Sequence, residues 1–76
     1  MAVEVHVPNV PRGESSHQVL VNGKPMGHLV RGCWFGNVSL EWWVKHDRHV
    51  VPRSIQHDLL AVEAWIARKA LLYLQR

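Results

Sequence analysis

The C-terminal third of the chain, residues 54–76, reads SIQHDLLAVEAWIARKALLYLQR and predicts one long helix. Apolar residues recur in it at the i, i+3, i+4 spacing of a helix face that packs against another layer. This predicted core stripe consists of Leu59, Val62, Ile66, Ala70 and Tyr73. Ser54 is the predicted N-cap, and Asp58 follows in the first turn, where a carboxylate suits the positive end of the helix dipole.

The same helix carries more apolar surface than a single small sheet can cover. One flank of the stripe adds Leu60, Ala64, Ala67, Leu71 and Leu74. The other flank adds Ala61, Trp65 and Leu72. A helix that is apolar around most of its circumference is usually buried on more than one side. We therefore expect a homodimer, with the flank of Ala61, Trp65 and Leu72 as its interface.

The length of the chain also favours association. A chain of 76 residues forms one domain, spanning residues 1–76, and buries only about 60% of its unfolded surface. Small domains of this kind gain stability from disulfides, a metal ion or oligomerisation. Cys33 is the single cysteine, which excludes a disulfide within the chain.

The residues before the helix alternate between apolar and polar side chains, as strands with one buried face do. The predicted strands are residues 3–7, 17–21, 27–35 and 38–45, and a charged connection follows them at residues 45–49. The predicted fold class is therefore α+β, with a three- or four-stranded antiparallel sheet packed on one long C-terminal helix.

Two hairpins set the predicted register of the central strands. Asn22-Gly23 is a strong hairpin signal, and the nearby Pro25 favours a three-residue loop that places Val21 opposite Pro25. Gly36-Asn37 predicts a two-residue turn that pairs Phe35 with Val38. The predicted core face of the two strands that the second hairpin joins carries Leu29, Cys33, Phe35, Val38, Leu40, Trp42 and Val44. The opposite face carries His28, Val30, Trp34, Ser39, Glu41, Trp43 and Lys45.

The second face of the sheet is the predicted partner-binding surface, formed by Trp34, Trp43, His28 and Lys45. We expect the two tryptophans to lie near each other on it. Tryptophan is a frequent hot-spot residue in protein interfaces. Aromatic rings beside basic side chains also form platforms for nucleic-acid bases. A shifted register, or a terminal segment that covers this face, would instead make both rings structural.

No segment predicts a catalytic or metal site. His46, His49 and His57 lie near Asp47 and Asp58, but their spacing matches no structural zinc pattern. The chain has no nucleophile elbow and no glycine-rich phosphate loop. We therefore expect no catalytic residues, no cofactor, no metal and no small-molecule substrate.

Net charge and hydropathy constrain the function less than the helix and the sheet do. Nine basic and six acidic residues give a net charge of +3, which permits nucleic-acid binding without requiring it. No run reaches the roughly 18 apolar residues of a membrane span, and the first residues lack the pattern of a signal peptide. We expect a cytoplasmic protein that does not enter the membrane.

The sequence from Val19 to Gly27, then Trp34 and Gly36, and then a closing helix with Ala61 to Trp65, resembles short uncharacterised proteins of bacterial and phage genomes. The resemblance implies a phage or mobile-element protein that acts by binding, for example as an inhibitor of a host defence complex. The layout is also similar to the DNA-binding arm domains of some integrases, but a dense basic strand face is missing.

The predicted function is accordingly that of a small non-catalytic binding protein that acts on a protein partner. The alternative is a small nucleic-acid-binding domain that uses the basic and aromatic sheet face. The two differ in salt dependence, because binding to nucleic acid releases counterions and weakens steeply as salt rises.

Overall fold

The computed structural model describes residues 3–8 and 16–74, without the side chains of Cys33 and Trp34. Its elements are β1 (Val5–His6), β2 (Ser16–Val21), β3 (Lys24–Trp34), β4 (Asn37–Val44), β5 (Asp47–Val50) and α1 (Leu59–Leu74). The strands form one antiparallel sheet in the order β1-β2-β3-β4-β5. The predicted α+β class is confirmed, but the sheet has five strands rather than three or four.

The additional strand is β5, which the sequence presents as a charged connection. A two-residue turn at Lys45-His46 reverses the chain, so that Trp43 pairs with Arg48 and Val44 with Asp47. Charged side chains are common on edge strands because they discourage pairing with other sheets. The charges of this segment therefore mark a sheet edge rather than a loop.

The loop of the first hairpin is one residue shorter than predicted. Asn22 and Gly23 have φ values of 52° and 79°, which are typical of a type I′ turn, and Val21 pairs with Lys24. The predicted three-residue loop with Val21 opposite Pro25 is therefore wrong. Asparagine and glycine reach positive φ more easily than other residues, which makes the shorter turn accessible.

A β-bulge in β3 restores the pattern of faces that the short turn would have broken. Leu20 pairs with Pro25 but Gln18 pairs with His28, so Met26 and Gly27 together lie opposite Val19. One extra residue exchanges the faces of every position beyond it. Val19, Val21 and Leu29 consequently share the core face, as predicted, and all three are buried.

The second hairpin also differs from the prediction. Its turn is Phe35-Gly36, and Trp34 pairs with Asn37, so the predicted pairing of Phe35 with Val38 is wrong. The pairing has moved by two residues, which leaves side chains on their predicted faces because the side-chain period of a strand is two. Phe35 and Val38, predicted to be in the core, are exposed, since one occupies the turn and the other lies near the end of the sheet.

The helix begins four residues later than predicted. Residues 53–57 form turns, in which the amide of Ile55 donates to the carbonyl of Pro52 at 3.1 Å. Asp58, not Ser54, is the N-cap, because its Oδ1 accepts from the amide of Ala61 at 3.3 Å. Helical geometry is recorded up to Leu74; Gln75 and Arg76 lie outside the described residues.

The hydrophobic core lies between the sheet and α1. It comprises Val7, Val19, Val21, Leu29, Leu40, Trp42, Val44, Val51, Val62, Ile66 and Ala70. The helix crosses the sheet from the end of β1 towards β5. Glu63 accepts from the amide of Val7, the residue after β1, at 3.0 Å, and Tyr73 donates to Asp47 of β5 at 2.8 Å. Of the predicted core stripe, Tyr73 is half-buried and Leu59 is exposed. In the described part of the chain, no helix combines the length and the apolar character that crossing a membrane requires.

Candidate protein-interaction surfaces

The sheet face that points away from α1, here called the outer face, is built from two cross-strand rows. Directly paired residues of antiparallel strands point to the same side of a sheet. The first row is Gln18, His28, Trp43 and Arg48. The second row is Ser16, Val30, Glu41 and Val50. The outer face therefore brings together residues of β2, β3, β4 and β5.

A buried carboxylate organises the centre of the outer face. Glu41 is only 3% exposed, although no helix covers this side of the sheet in the described residues. Its Oε1 accepts from the indole nitrogen of Trp43 at 3.1 Å, and its Oε2 accepts from the guanidinium of Arg48 and from Ser39 Oγ at 3.4 Å. A buried charge is tolerated when it is paired and hydrogen-bonded in this way.

The charge of Glu41 is held in its ionised form. The hydrogen bond from Arg48 lowers the pKa of the Glu41 carboxyl below its ordinary value, against the opposing effect of burial, and the bonds from Trp43 and Ser39 act in the same direction as Arg48. The same hydrogen bond raises the pKa of Arg48. Glu41 and Arg48 thus form a neutral ion pair, and little free positive charge is left beside Trp43.

The consequence is a fixed pair of exposed side chains, here called the Trp43–Arg48 patch. The Trp43 side chain is 47% exposed, and the Arg48 guanidinium carbon lies 5.9 Å from a ring centroid of Trp43, within the range of a cation–π contact. Glu41 bonds both groups, so much of their rotamer entropy is lost on folding rather than on binding. Tryptophan and arginine are also among the residue types most enriched at interface hot spots.

The structure brings only part of the predicted partner-binding set together. His28 is exposed and lies directly opposite Trp43. Trp34 pairs with Asn37 and is six residues farther along β3 than His28, which corresponds to about 20 Å of strand. The expectation that Trp34 and Trp43 are neighbours is therefore wrong, and the Trp34 side chain itself lies outside the described residues.

Lys45 lies on the other side of the sheet. Its φ of 53° places it in the turn between β4 and β5, where the alternation of strand faces no longer applies. Its Nζ lies 5.6 Å from the ring centroid of Tyr73, a residue of α1. The predicted position of Lys45 on the face of Trp43 is therefore wrong, and the cation that contacts the Trp43 ring is Arg48.

Sequence reasoning missed both Arg48 and the role of Glu41. Arg48 stands in the segment read as a connection, because Asp47-Arg48-His49-Val50 shows no alternation of apolar and polar residues that would predict a strand. Glu41 is correctly placed on the outer face, but nothing in its neighbours in sequence predicts that it is buried. Its burial depends on Arg48, which reaches it from the adjacent strand.

The helix supplies a second apolar surface, here called the outward helix face. Leu72 is 61% exposed on the predicted dimer flank, whereas Ala61 and Trp65 are half-buried. Trp65 packs partly against the core, and Lys69 Nζ lies 5.2 Å from its ring centroid. On the opposite flank the exposed leucines are Leu60 at 77%, Leu74 at 41% and Leu71 at 37%.

A polar cluster joins the end of α1 to β5. The hydroxyl of Tyr73 donates to Asp47 Oδ2 at 2.8 Å and lies 2.6 Å from His49 Nε2. Because the hydroxyl proton points to Asp47, His49 Nε2 donates to the Tyr73 oxygen. The His49 ring also stacks near Trp42, with ring centroids 5.5 Å apart. These bonds anchor the helix to the edge strand.

The histidines named in the sequence are dispersed in the fold. His49 belongs to the cluster with Tyr73, whereas His46 and His57 are exposed in turns. Within residues 3–8 and 16–74, no three histidine, cysteine, aspartate or glutamate side chains are placed to hold a metal ion together.

No protein-family model, no curated protein and no solved structure matches this chain.

Proposed function

We propose that this chain is a small non-catalytic binding protein that acts on a protein partner through its outer face. The observation that carries the proposal is the Trp43–Arg48 patch, in which a buried Glu41 bonds two exposed hot-spot side chains. Holding such groups in place before binding reduces the entropy cost of association. His28 and Val50 extend the patch on either side with exposed surface.

The electrostatics of the patch favour a protein over a nucleic acid. A base-stacking platform combines aromatic rings with cations that can neutralise phosphates. Arg48 already pairs with Glu41, and Lys45 lies on the other side of the sheet. The aromatic surface of Trp43 remains exposed, which suits an apolar contact surrounded by polar groups.

Trp43→Ala should weaken binding to that partner by about 10- to 100-fold while leaving the fold intact, because hot-spot tryptophans contribute at this level. The partner is first captured from lysate of the native host, with and without nuclease, and then purified for titration. Leu60→Ala, which removes a 77% exposed side chain from α1, is the matched control and should bind as the wild type does.

Two outcomes would contradict the proposal. If nuclease abolishes capture, or if the affinity falls steeply between low and moderate salt, the alternative nucleic-acid function is correct. If Trp43→Ala binds the purified partner as tightly as the wild type, the outer face is not the binding surface. We also propose, more narrowly, that the chain is a phage protein that inhibits a host defence complex. The support for this narrower role is the resemblance of the chain to short phage proteins.

We also propose that the chain is a homodimer through the helix flank of Ala61, Trp65 and Leu72. Leu72→Glu should convert the dimer to a folded monomer, because a charge would be buried at the contact and Leu72 contributes little to the core. Sedimentation velocity, together with thermal melts, measures both effects. Leu60→Glu, on the opposite flank, is the control and should remain dimeric; a wild-type chain that sediments as a monomer at high micromolar concentration would contradict the proposal.

A further inference from the structure

The β3–β4 hairpin extends beyond the rest of the sheet. Pairing of β3 with β2 reaches Val30, and the bonds of β4 to the following segment end where the amide of Val51 donates to the carbonyl of Leu40. In the part of the chain that the structure describes, residues 32–39 pair only with each other and form a two-stranded ribbon. The molecule is correspondingly elongated, with extents of 39 × 24 × 19 Å.

The tip of this ribbon is an aromatic residue in full contact with solvent. Phe35 has a relative exposure of 101% and touches no part of the core. Its φ of 50° and the φ of 80° at Gly36 are those of a type I′ turn. A bulky side chain is rarely found at such a φ, because its Cβ approaches the backbone closely.

The same chain contains a matched turn with the residues that this conformation favours. Asn22 and Gly23 have φ values of 52° and 79°, nearly identical to those at the ribbon tip. Asparagine is preferred there because its short polar side chain tolerates the left-handed region. Neither turn geometry nor packing against the described core accounts for phenylalanine at position 35, and a backbone outlier of this kind points to a function.

We propose that Phe35 is an anchor that inserts into an apolar pocket of the protein partner. A single ring on a short, rigid turn is a convex feature, and a concave pocket is its complement. The residues that follow it, Gly36, Asn37 and Val38, carry no charge, and Arg31 is half-buried at the base of the ribbon. An anionic nucleic acid or lipid surface would find no exposed cation here, whereas an apolar protein pocket needs none.

This inference rests on the proposed function in requiring a protein partner, but it concerns a separate surface. Phe35 follows the end of β3 and comes seven residues after His28, the residue paired with Trp43. The ribbon tip and the Trp43–Arg48 patch can therefore be changed independently. Phe35→Asn and Trp43→Ala distinguish which of the two contacts the partner, or whether both do.

The first measurement is a thermal melt. Phe35→Asn gives the tip the same turn residues as Asn22-Gly23, and it should raise the melting temperature by about 4 °C, since the unfavourable backbone conformation is relieved. Phe35→Ala removes the ring but retains the same backbone conflict, and should give no comparable increase. A Phe35→Asn variant that is less stable than the wild type would show that the ring serves the fold, and would overturn the proposal.

The second measurement identifies the contact. Incorporation of p-benzoylphenylalanine at position 35 should crosslink one host protein on irradiation in lysate, whereas incorporation at His46, another exposed turn residue, should not. The crosslinked protein is then purified and titrated with the wild type, Phe35→Asn and Phe35→Ala. Both variants should bind it at least about 10-fold more weakly, because each lacks the anchoring ring.

Several results would overturn the proposal. These are unchanged affinity of Phe35→Asn, equal crosslinking from positions 35 and 46, and a crosslink to nucleic acid or to a second copy of this chain. Binding to vesicles of phosphatidylglycerol and phosphatidylcholine that Phe35→Asn abolishes would assign the tip to a membrane instead. If only Trp43→Ala loses affinity, the anchor proposal is overturned and the outer-face proposal stands. If only Phe35→Asn loses affinity, the outer-face proposal is overturned and the anchor proposal stands.

Discussion

Trp42→Ala is expected to unfold the protein at physiological temperature. Trp42 is completely buried at the centre of the core, and its indole nitrogen donates to the carbonyl of Met26 at 3.0 Å. Removing a buried tryptophan leaves a cavity that costs about 3–5 kcal/mol. The loss also leaves the Met26 carbonyl without its donor, in a domain whose whole stability is of the order of 5–15 kcal/mol. Thermal and urea melts followed by circular dichroism measure the effect.

Trp43→Ala is the matched control for this prediction, because the two tryptophans are neighbours in sequence on opposite faces of β4. Trp43 is 47% exposed, so its removal should cost much less than removal of Trp42. Trp42→Phe should fall between them, since it fills most of the cavity but cannot donate to Met26. If Trp43→Ala is as destabilising as Trp42→Ala, the outer face is covered in solution and cannot be a free binding surface.

Gly27→Ala is expected to be nearly as damaging, although it adds only one carbon atom. Gly27 lies in the β-bulge with a φ of 76°, a conformation that side chains other than glycine rarely adopt. A Cβ at this position would overlap the carbonyl oxygen of Trp43 and lie 3.0 Å from Trp42 Nε1. Because backbone atoms cannot move aside cheaply, we expect a loss of about 3 kcal/mol or more in the free energy of unfolding.

Gly23→Ala separates the cost of the positive φ from the cost of the steric overlap. Gly23 has nearly the same φ, 79°, but a Cβ there would meet no atom within 4 Å. Its cost should be limited to the backbone conformation, about 1–2 kcal/mol. Urea melts of the two variants under the same conditions give the comparison. Equal losses of stability would mean that the close approach of Gly27 to Trp43 does not constrain the sheet.

The outer face shows which features of a candidate site the local sequence pattern can predict. Alternation along β4 correctly assigns Trp42 to the core and Trp43 to the opposite face. It does not reveal that Glu41 is buried, since that depends on a guanidinium contributed by β5. Nor does it locate Lys45, which leaves the strand pattern where the chain turns. The face of a residue within a strand was predictable, whereas its partners on the neighbouring strand and the positions of residues at strand ends were not.

The sequence by itself determined the α+β class, the central packing stripe of the helix and the faces of the main strands. These features depend on the polarity of each residue and its position in a period of two or 3.6, and both can be read locally. The helix residues Val62, Ile66 and Ala70 are buried accordingly.

Only the tertiary structure decided the register. A shift of two residues in a hairpin leaves every side chain on the same face, so polarity cannot distinguish Phe35-Gly36 from Gly36-Asn37 as the turn. The pattern of polarity likewise does not reveal the bulge at Gly27. The bulge places the Met26 carbonyl where the indole of Trp42 donates to it. Contacts between residues distant in sequence select among registers that local pattern makes equivalent, and they also placed Phe35 at the tip of the ribbon.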